Sequence, residues 1–291
     1  MNVGLILGGG GVVGIAWEVG VMAGLREHAG FDPLAMSLIV GTSAGSVAGA
    51  QVALGHDLDE LVARQQRTPR APNPSPPRAQ GAPSVVPNDI MRLMVSDEAT
   101  MEERAIAIGK LAVDADVALG QAEYVESFRS LLGTDEWPAI DLRVTTAECE
   151  TGRSVLWSKA DGIDLLRAVA SSCAIPGWFP PVEFAGHRYI DAPRGGFYAR
   201  LVDEKDLDAL LFIGPNGALP EGLRDNPEID ALADRGLPVV QITGGAAITG
   251  TAVNLMDPHA RGDAVEAGID DGKANALAVA DLLESARGDS S

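Results

Sequence analysis

The stretch "LIVGTSAGSVAGA", residues 38–50, decides how this chain is read. Residues 37–40 form a short apolar run, the signature of a buried strand, and the run ends in Gly41-Thr42-Ser43-Ala44-Gly45. The Gly/Ala/Val sequence that follows, to about Leu54, reads as a helix seated close against a sheet. A serine between two glycines at such a junction has two explanations. It is a nucleophile on a sharp turn, or the small residues only let helix and sheet approach. The spacing Gly41-x-Ser43-x-Gly45 is that of a nucleophile elbow, whose glycines permit the strained turn that exposes the hydroxyl.

The same pattern occurs once earlier. "VGLIL", residues 3–7, reads as a strand that stops at the Gly8–Gly11 run. From Ile15 to about Glu27 the apolar residues Ile15, Ala16, Val19, Met22 and Ala23 recur at helical spacing. Two strand-turn-helix units in succession predict a parallel sheet covered by helices. Gly9, Gly11 and Gly14 also satisfy the dinucleotide-binding spacing G-x-G-x-x-G. That fingerprint requires an acidic residue at the end of the second strand. Here the strand ends in Val40-Gly41-Thr42-Ser43, and Asp32 precedes it. A nucleotide is not needed to explain the glycines. At a helix N-terminus they let several N–H groups converge on one anion, including the oxyanion of acyl transfer.

Residues 68–88, "TPRAPNPSPPRAQGAPSVVPN", hold seven prolines and cannot sustain a regular helix or central strand. They read as a loop or lid excursion. Helical patterning resumes to about Leu132, and residues 141–157 read as two strands joined at "ETG". Asp164–Ser172 reads as a helix, and Val182–Ile190 as a hairpin turning at "AGH" that delivers Asp191 at its end. Two more strands, residues 207–214 and 237–243, precede a helical C-terminal segment from about Asp263. We expect one α/β domain over residues 1–291, a three-layer α/β/α arrangement with a mainly parallel central sheet.

Composition bounds the function. The chain is 46% hydrophobic, enough for a large core. Its 41 acidic and 22 basic residues give a net charge of −19, which argues against nucleic acid and against docking on anionic lipid through a basic patch. The two cysteines, Cys149 and Cys173, form neither a CxxC pair nor a disulfide framework and suit a reducing compartment, so the expected location is cytoplasmic. No apolar run of about 18 residues predicts a transmembrane span. No metal-ligand spacing is evident, and no cofactor is expected. Trp178 and Phe179 read as contacts bracing the hairpin, with a wall of an acyl groove as the alternative, and Asp257 and Asp263 as turn and cap residues.

A serine at its free pKa needs a base. Of His28, His56, His187 and His259, only His259 follows at a distance compatible with the order Ser, acid, His. A Ser43–Asp191–His259 triad is therefore one alternative. Against it, a single strand precedes Ser43 before the elbow's own, and "DPHARGD" reads as a polar loop.

The glycine run, "GTSAGS" and "AIPGWFPPVEFAGHRYIDAP" together resemble the patatin-like phospholipase family. Order and spacing match across residues 3–200. The resemblance implies hydrolysis of a lipid or other hydrophobic acyl ester through a Ser–Asp dyad. Ser43 would attack the carbonyl, Asp191 would take the proton, and the amides of Gly9, Gly10 and Gly11 would hold the oxyanion. Two departures stand out. Val13 occupies a position where the family carries Arg or Lys, and Ala192-Pro193 replaces two small residues beginning with Gly. A catalytically impaired or nucleotide-binding protein that keeps only the fold is the second alternative.

Overall fold

The computed structural model describes residues 2–67, 93, 101–117, 119–191, 198–218, 226–244 and 254–288. The Pro-rich stretch 68–88 and the pair Ala192-Pro193 lie outside these residues. The fold is mixed α/β, with sheet strands flanked by helices, and it divides into two compact units. The first comprises residues 1–71, 138–142 and 196–291; the second comprises 72–137 and 143–195.

In the first unit, β1 (Val3–Leu7) lies between β2 (Leu38–Gly41) and β7 (Ala209–Ile213), and β8 (Val239–Ile242) pairs with β7. All three pairings are parallel. Every residue of β1 and β7 is buried, as expected of strands covered on both sides. Helix α1 (Gly11–Ala29) follows β1, and α2 (Ala44–Ala53) follows β2 and packs on both strands. Further along come α3 (Leu58–Gln66), α8 (Tyr198–Lys205), α9 (Pro227–Asp234), α10 (Arg261–Ala274) and α11 (Ala276–Gly288). Asp57 caps α3 through the amides of Asp59 and Glu60.

Helices α1 and α10 touch backbone to backbone. A Cβ on Gly20 would lie 2.2 Å from the Val265 carbonyl, and one on Gly268 would lie 2.2 Å from that of Trp17. One turn on, Gly24 meets Ile269 and Gly272 meets Val21 in the same way. Two glycine pairs four residues apart, one on each helix, thus create the contact. It is completed by the Trp17 indole N–H, which donates to Asp271 at 2.8 Å.

The strand pairings described in the second unit are antiparallel. There β3 (Leu142–Glu148) pairs with β4 (Ser154–Trp157) and with β6 (His187–Ile190), which pairs with β5 (Val182–Phe184). The β5–β6 turn runs through Ala185 and Gly186, both at positive φ (52° and 82°), the conformation that matches strand twist in a two-residue hairpin. Helices α4 (Met101–Asp114), α5 (Gln121–Ser127), α6 (Arg129–Leu132) and α7 (Leu165–Ser172) belong to this unit. Ile108 and Ala112 of α4 pack on Ala147, Cys149 and Ile190. No helix among the described residues is long and apolar enough to cross a membrane.

The glycine contact predicts a stability hierarchy. Gly20→Val forces α1 from α10 and should cost roughly 3 kcal/mol, the scale of overpacking a tight contact. Gly262→Ala, which meets open space within α10, should instead gain about 0.5–1 kcal/mol. Urea denaturation of both variants checks the order.

Candidate active site

Ser43 stands between β2 and α2 with φ 51° and ψ −116°, a conformation that residues other than glycine rarely adopt. Neighbouring contacts enforce it. The Thr42 amide donates to the Leu7 carbonyl at 3.0 Å, and the Gly45 amide donates to the Gly8 carbonyl at 2.8 Å. A Cβ on Gly45 would sit 2.3 Å from the Leu7 carbonyl oxygen, and one on Gly41 would sit 2.5 Å from that of Gly45. Only hydrogen fits at either position, so the turn closes against the end of β1. The Ser46 hydroxyl donates to the Ser43 carbonyl at 2.7 Å, securing the first turn of α2. Ser43 itself is 8% exposed.

The glycine loop lies beside it. A Cβ on Gly9 would meet the Ser43 Cβ at 3.5 Å, so the serine side chain rises directly over Gly9. Gly10 caps α1, and Gly11, at φ 60°, opens it. Among the described residues, no backbone carbonyl accepts from the amides of Gly9, Gly10 or Gly11. Gly9, Gly10 and Gly11 thus lead into the positive end of a 19-residue helix, next to a serine on a strained turn. The Val13 amide donates to the Leu255 carbonyl at 3.2 Å, which anchors the loop on its other side. The structure thus brings together Ser43, Gly9, Gly41 and Gly45, with Gly10 and Gly11 next in the chain.

Asp191 belongs to the second unit, where it follows β6 directly. Its amide donates to the Ala174 carbonyl at 3.0 Å, and the Thr146 hydroxyl donates to the carbonyl of Ile190 before it at 2.7 Å. Tyr124 of α5 is buried nearby. Its hydroxyl donates to the Ala170 carbonyl at 3.2 Å, and its ring stacks on Phe179. Burial raises the phenol well above its ordinary pKa, and the charges of Cys173 and Asp191 add to the effect. Phe179 thus packs on α5 within the second unit.

His259 is exposed in a 3-10 turn (Pro258–Ala260), and its backbone amide donates to Asp257 at 2.9 Å. Asp257 is the turn cap expected from the sequence. Cys149 is a buried small apolar residue whose thiol burial pushes up to about 12. Cys173 is half-buried.

Two features escape sequence reading. Glu148, Glu150 and His187 come together because β3 pairs with β6, and their ligating atoms lie within 4.8 Å of one another. Glu148 is engaged by Arg153 at 3.1 Å and by His187 Nδ1 at 3.0 Å, and Glu150 by Arg188 at 2.8 Å. Both carboxylates are thus paired with arginines. The second feature is Glu18 of α1, which is 0% exposed and lies next to the backbone of Gly8. Burial drives its pKa well above the ordinary carboxylate value, with the Gly8 backbone opposing.

Residues 5–199 match the family model of the patatin-like phospholipases. Among solved structures, the human GIVD cytosolic phospholipase A2 in complex with methyl gamma-linolenyl fluorophosphonate aligns with 99% of this chain and 58% of its own. The TM-score is 0.51 at 11% identity, a likeness of fold. VipD from Legionella pneumophila aligns over 98% of this chain and 67% of its own (TM-score 0.47, 14% identity). ExoU of the Pseudomonas aeruginosa ExoU–SpcU complex aligns over 98% and 52% (TM-score 0.40, 16% identity). The chain thus spans about half to two thirds of the length of these three structures.

Glu18 gives the site a pH signature. Its raised native pKa means that the folded protein keeps a proton the unfolded chain releases above about pH 4.5, so stability falls as pH rises from there. Glu18→Gln removes this slope. Its stability relative to wild type should grow by up to about 1.4 kcal/mol per pH unit from about pH 5 toward the native value. Urea titrations of both proteins at several pH values measure the difference.

Proposed function

This chain belongs to the patatin-like phospholipase family, a family of lipid acyl hydrolases, and we propose that it hydrolyses lipid or other hydrophobic acyl esters through Ser43 and Asp191. One observation carries the reading: the strained Ser43 stands directly over Gly9, at a loop whose three glycine amides have no backbone acceptor among the described residues. A strained serine costs stability, and its turn is where a hydrolase spends that strain on exposing a nucleophile.

The chemistry follows in two halves. The Ser43 hydroxyl attacks the ester carbonyl carbon and Asp191 accepts its proton. Negative charge moves to the carbonyl oxygen, where the amides of Gly9, Gly10 and Gly11 and the α1 dipole stabilise it. The tetrahedral intermediate collapses, and the alcohol leaves with the proton from Asp191. Water then attacks the acyl-serine, giving its proton to Asp191. The carboxylic acid departs, and the proton returns to Ser43. A carboxylate is a weak base toward a serine hydroxyl. The dyad therefore depends on stabilising the oxyanion more than on proton affinity, and the unengaged glycine amides suit that division of labour. The free cysteines support a reducing, cytoplasmic setting.

Hydrolysis of p-nitrophenyl esters of graded chain length tests the reading. Longer acyl chains should be preferred. Ser43→Ala should fall to background, and Asp191→Ala should lower kcat roughly 10²–10⁴-fold. His259→Ala should retain wild-type activity; a loss near that of Ser43→Ala would establish the triad instead. Fluorophosphonate labelling that is equal in wild type and Ser43→Ala would reject a serine hydrolase altogether.

A further inference from the structure

Asp191 comes directly after Ile190, the last residue of β6, and a single peptide joins the two. That peptide is planar, so the Ile190 carbonyl and the Asp191 N–H turn together. Both ends are held. The Thr146 hydroxyl of β3 donates to the Ile190 carbonyl at 2.7 Å, and the Asp191 amide donates to the Ala174 carbonyl at 3.0 Å. Thr146 and Ala174 are fully buried, as is Ile190, so water does not compete for the Thr146 bond. The Ala174 carbonyl is itself placed by the turn that ends α7, where the Ala174 amide donates to Ser171 and the Ile175 amide to Cys173.

Register explains why Thr146 is the residue that reaches. Strands β3 and β6 pair antiparallel through Glu148 with Tyr189 and Ala147 with Ile190, and the ladder ends there. One step further, the same register sets Thr146 across from Asp191, the first residue past the ladder. The hydroxyl thus extends the hold of β3 on β6 beyond the last backbone pair. Packing alone does not call for a hydroxyl at this position. Val144 and Ala147 of the same strand are apolar and equally buried, and valine has the shape of threonine. A buried hydroxyl is costly unless it is bonded, and this one is bonded to the carbonyl that precedes Asp191.

We propose that Thr146 is a positioning residue: with the Ala174 carbonyl it clamps the 190–191 peptide and so fixes where the Asp191 carboxylate stands. This rests on reading Asp191 as the group that takes the proton. The clamp leaves Asp191 only the rotations that follow its own nitrogen. A base must come within hydrogen-bond reach of the hydroxyl it deprotonates, and a misplacement of about 1 Å costs on the order of 10²-fold in rate. Thr146 acts on the reaction through Asp191 and does not touch the substrate.

Thr146→Val and Thr146→Ala remove the hydroxyl at two side-chain volumes, and Thr146→Ser keeps it. Hydrogen exchange at the Asp191 amide should quicken at least severalfold in the valine and alanine variants and stay near wild type in the serine variant. Equal exchange in all of them overturns the proposal. With p-nitrophenyl esters, both hydroxyl-free variants should lose kcat roughly 10–100-fold with KM within about twofold of wild type, and Thr146→Ser should recover kcat. Wild-type kcat without the hydroxyl overturns it, as does a loss that merely follows each variant's melting temperature. In an Asp191→Ala background, adding Thr146→Val should slow neither ester hydrolysis nor fluorophosphonate labelling any further. The same loss in both backgrounds means a structural role only and also overturns it. Where the valine variant does not fold, alanine against serine decides. Wild-type kcat in Asp191→Ala would defeat the Ser–Asp reading on its own, and the exchange readout, which needs no turnover, then decides the clamp separately.

Discussion

A single hydrogen bond, from the Gly45 amide to the Gly8 carbonyl, joins the turn that carries Ser43 to the glycine loop. It fastens the first turn of α2 to the root of the glycine loop. With the Thr42 amide on Leu7, it sets the elbow against the end of β1. Both bonds require an approach that no side chain at Gly45 would permit. The glycines flanking Ser43 therefore do more than free the backbone. They let β1, the loop and α2 occupy the same small volume, and this puts the serine over Gly9.

The glycine loop in turn depends on where α1 lies. It leads directly into α1, whose first residue is Gly11, so its position depends on where that helix lies. The helix is held by contact with α10, where glycines on both helices bring backbone against backbone. Packing some 10–15 residues along the helix thus governs the geometry of its N-terminus. Between these two constraints, α1 is held at one end by Gly8 and along its length by α10.

Much of this was legible in the sequence, for a physical reason: strands β1 and β2, the elbow and the hairpin before Asp191 are local patterns. "VGLIL" and "LIVG" announce buried strands, and Gly41-x-Ser43-x-Gly45 announces a turn. The "AGH" turn positions the residue after Ile190. What was not legible is long-range. Apolar spacing suggests α1 from Ile15, whereas it begins at Gly11, because a glycine at φ 60° can open a helix that hydrophobic periodicity does not mark. Gly20, Gly24, Gly268 and Gly272 acquire meaning only when helices some 250 residues apart in sequence meet. The antiparallel pairing of β3 with β6 assembles Glu148, Glu150 and His187 from two distant segments. Glu18 is obscured differently. On a helix with one wet face a lone glutamate marks that face, but α1 is covered nearly all round, and such a helix has no polar stripe to read.

The costs in this protein are concentrated where its chemistry is proposed. Ser43 holds a backbone conformation that disfavours any side chain, and Glu18 holds a carboxyl away from water. Each is worth a few kcal/mol against folding, a large fraction of the margin of an ordinary domain. Ser43 is held on a turn fastened to the end of β1, whose five residues are buried, and Glu18 lies on a helix packed backbone to backbone on α10. A looser frame would relax the serine into an ordinary turn and let water reach the glutamate. The strength of the surrounding packing is therefore a condition of the proposed site: it keeps a strained serine and an unpaired acid from relaxing.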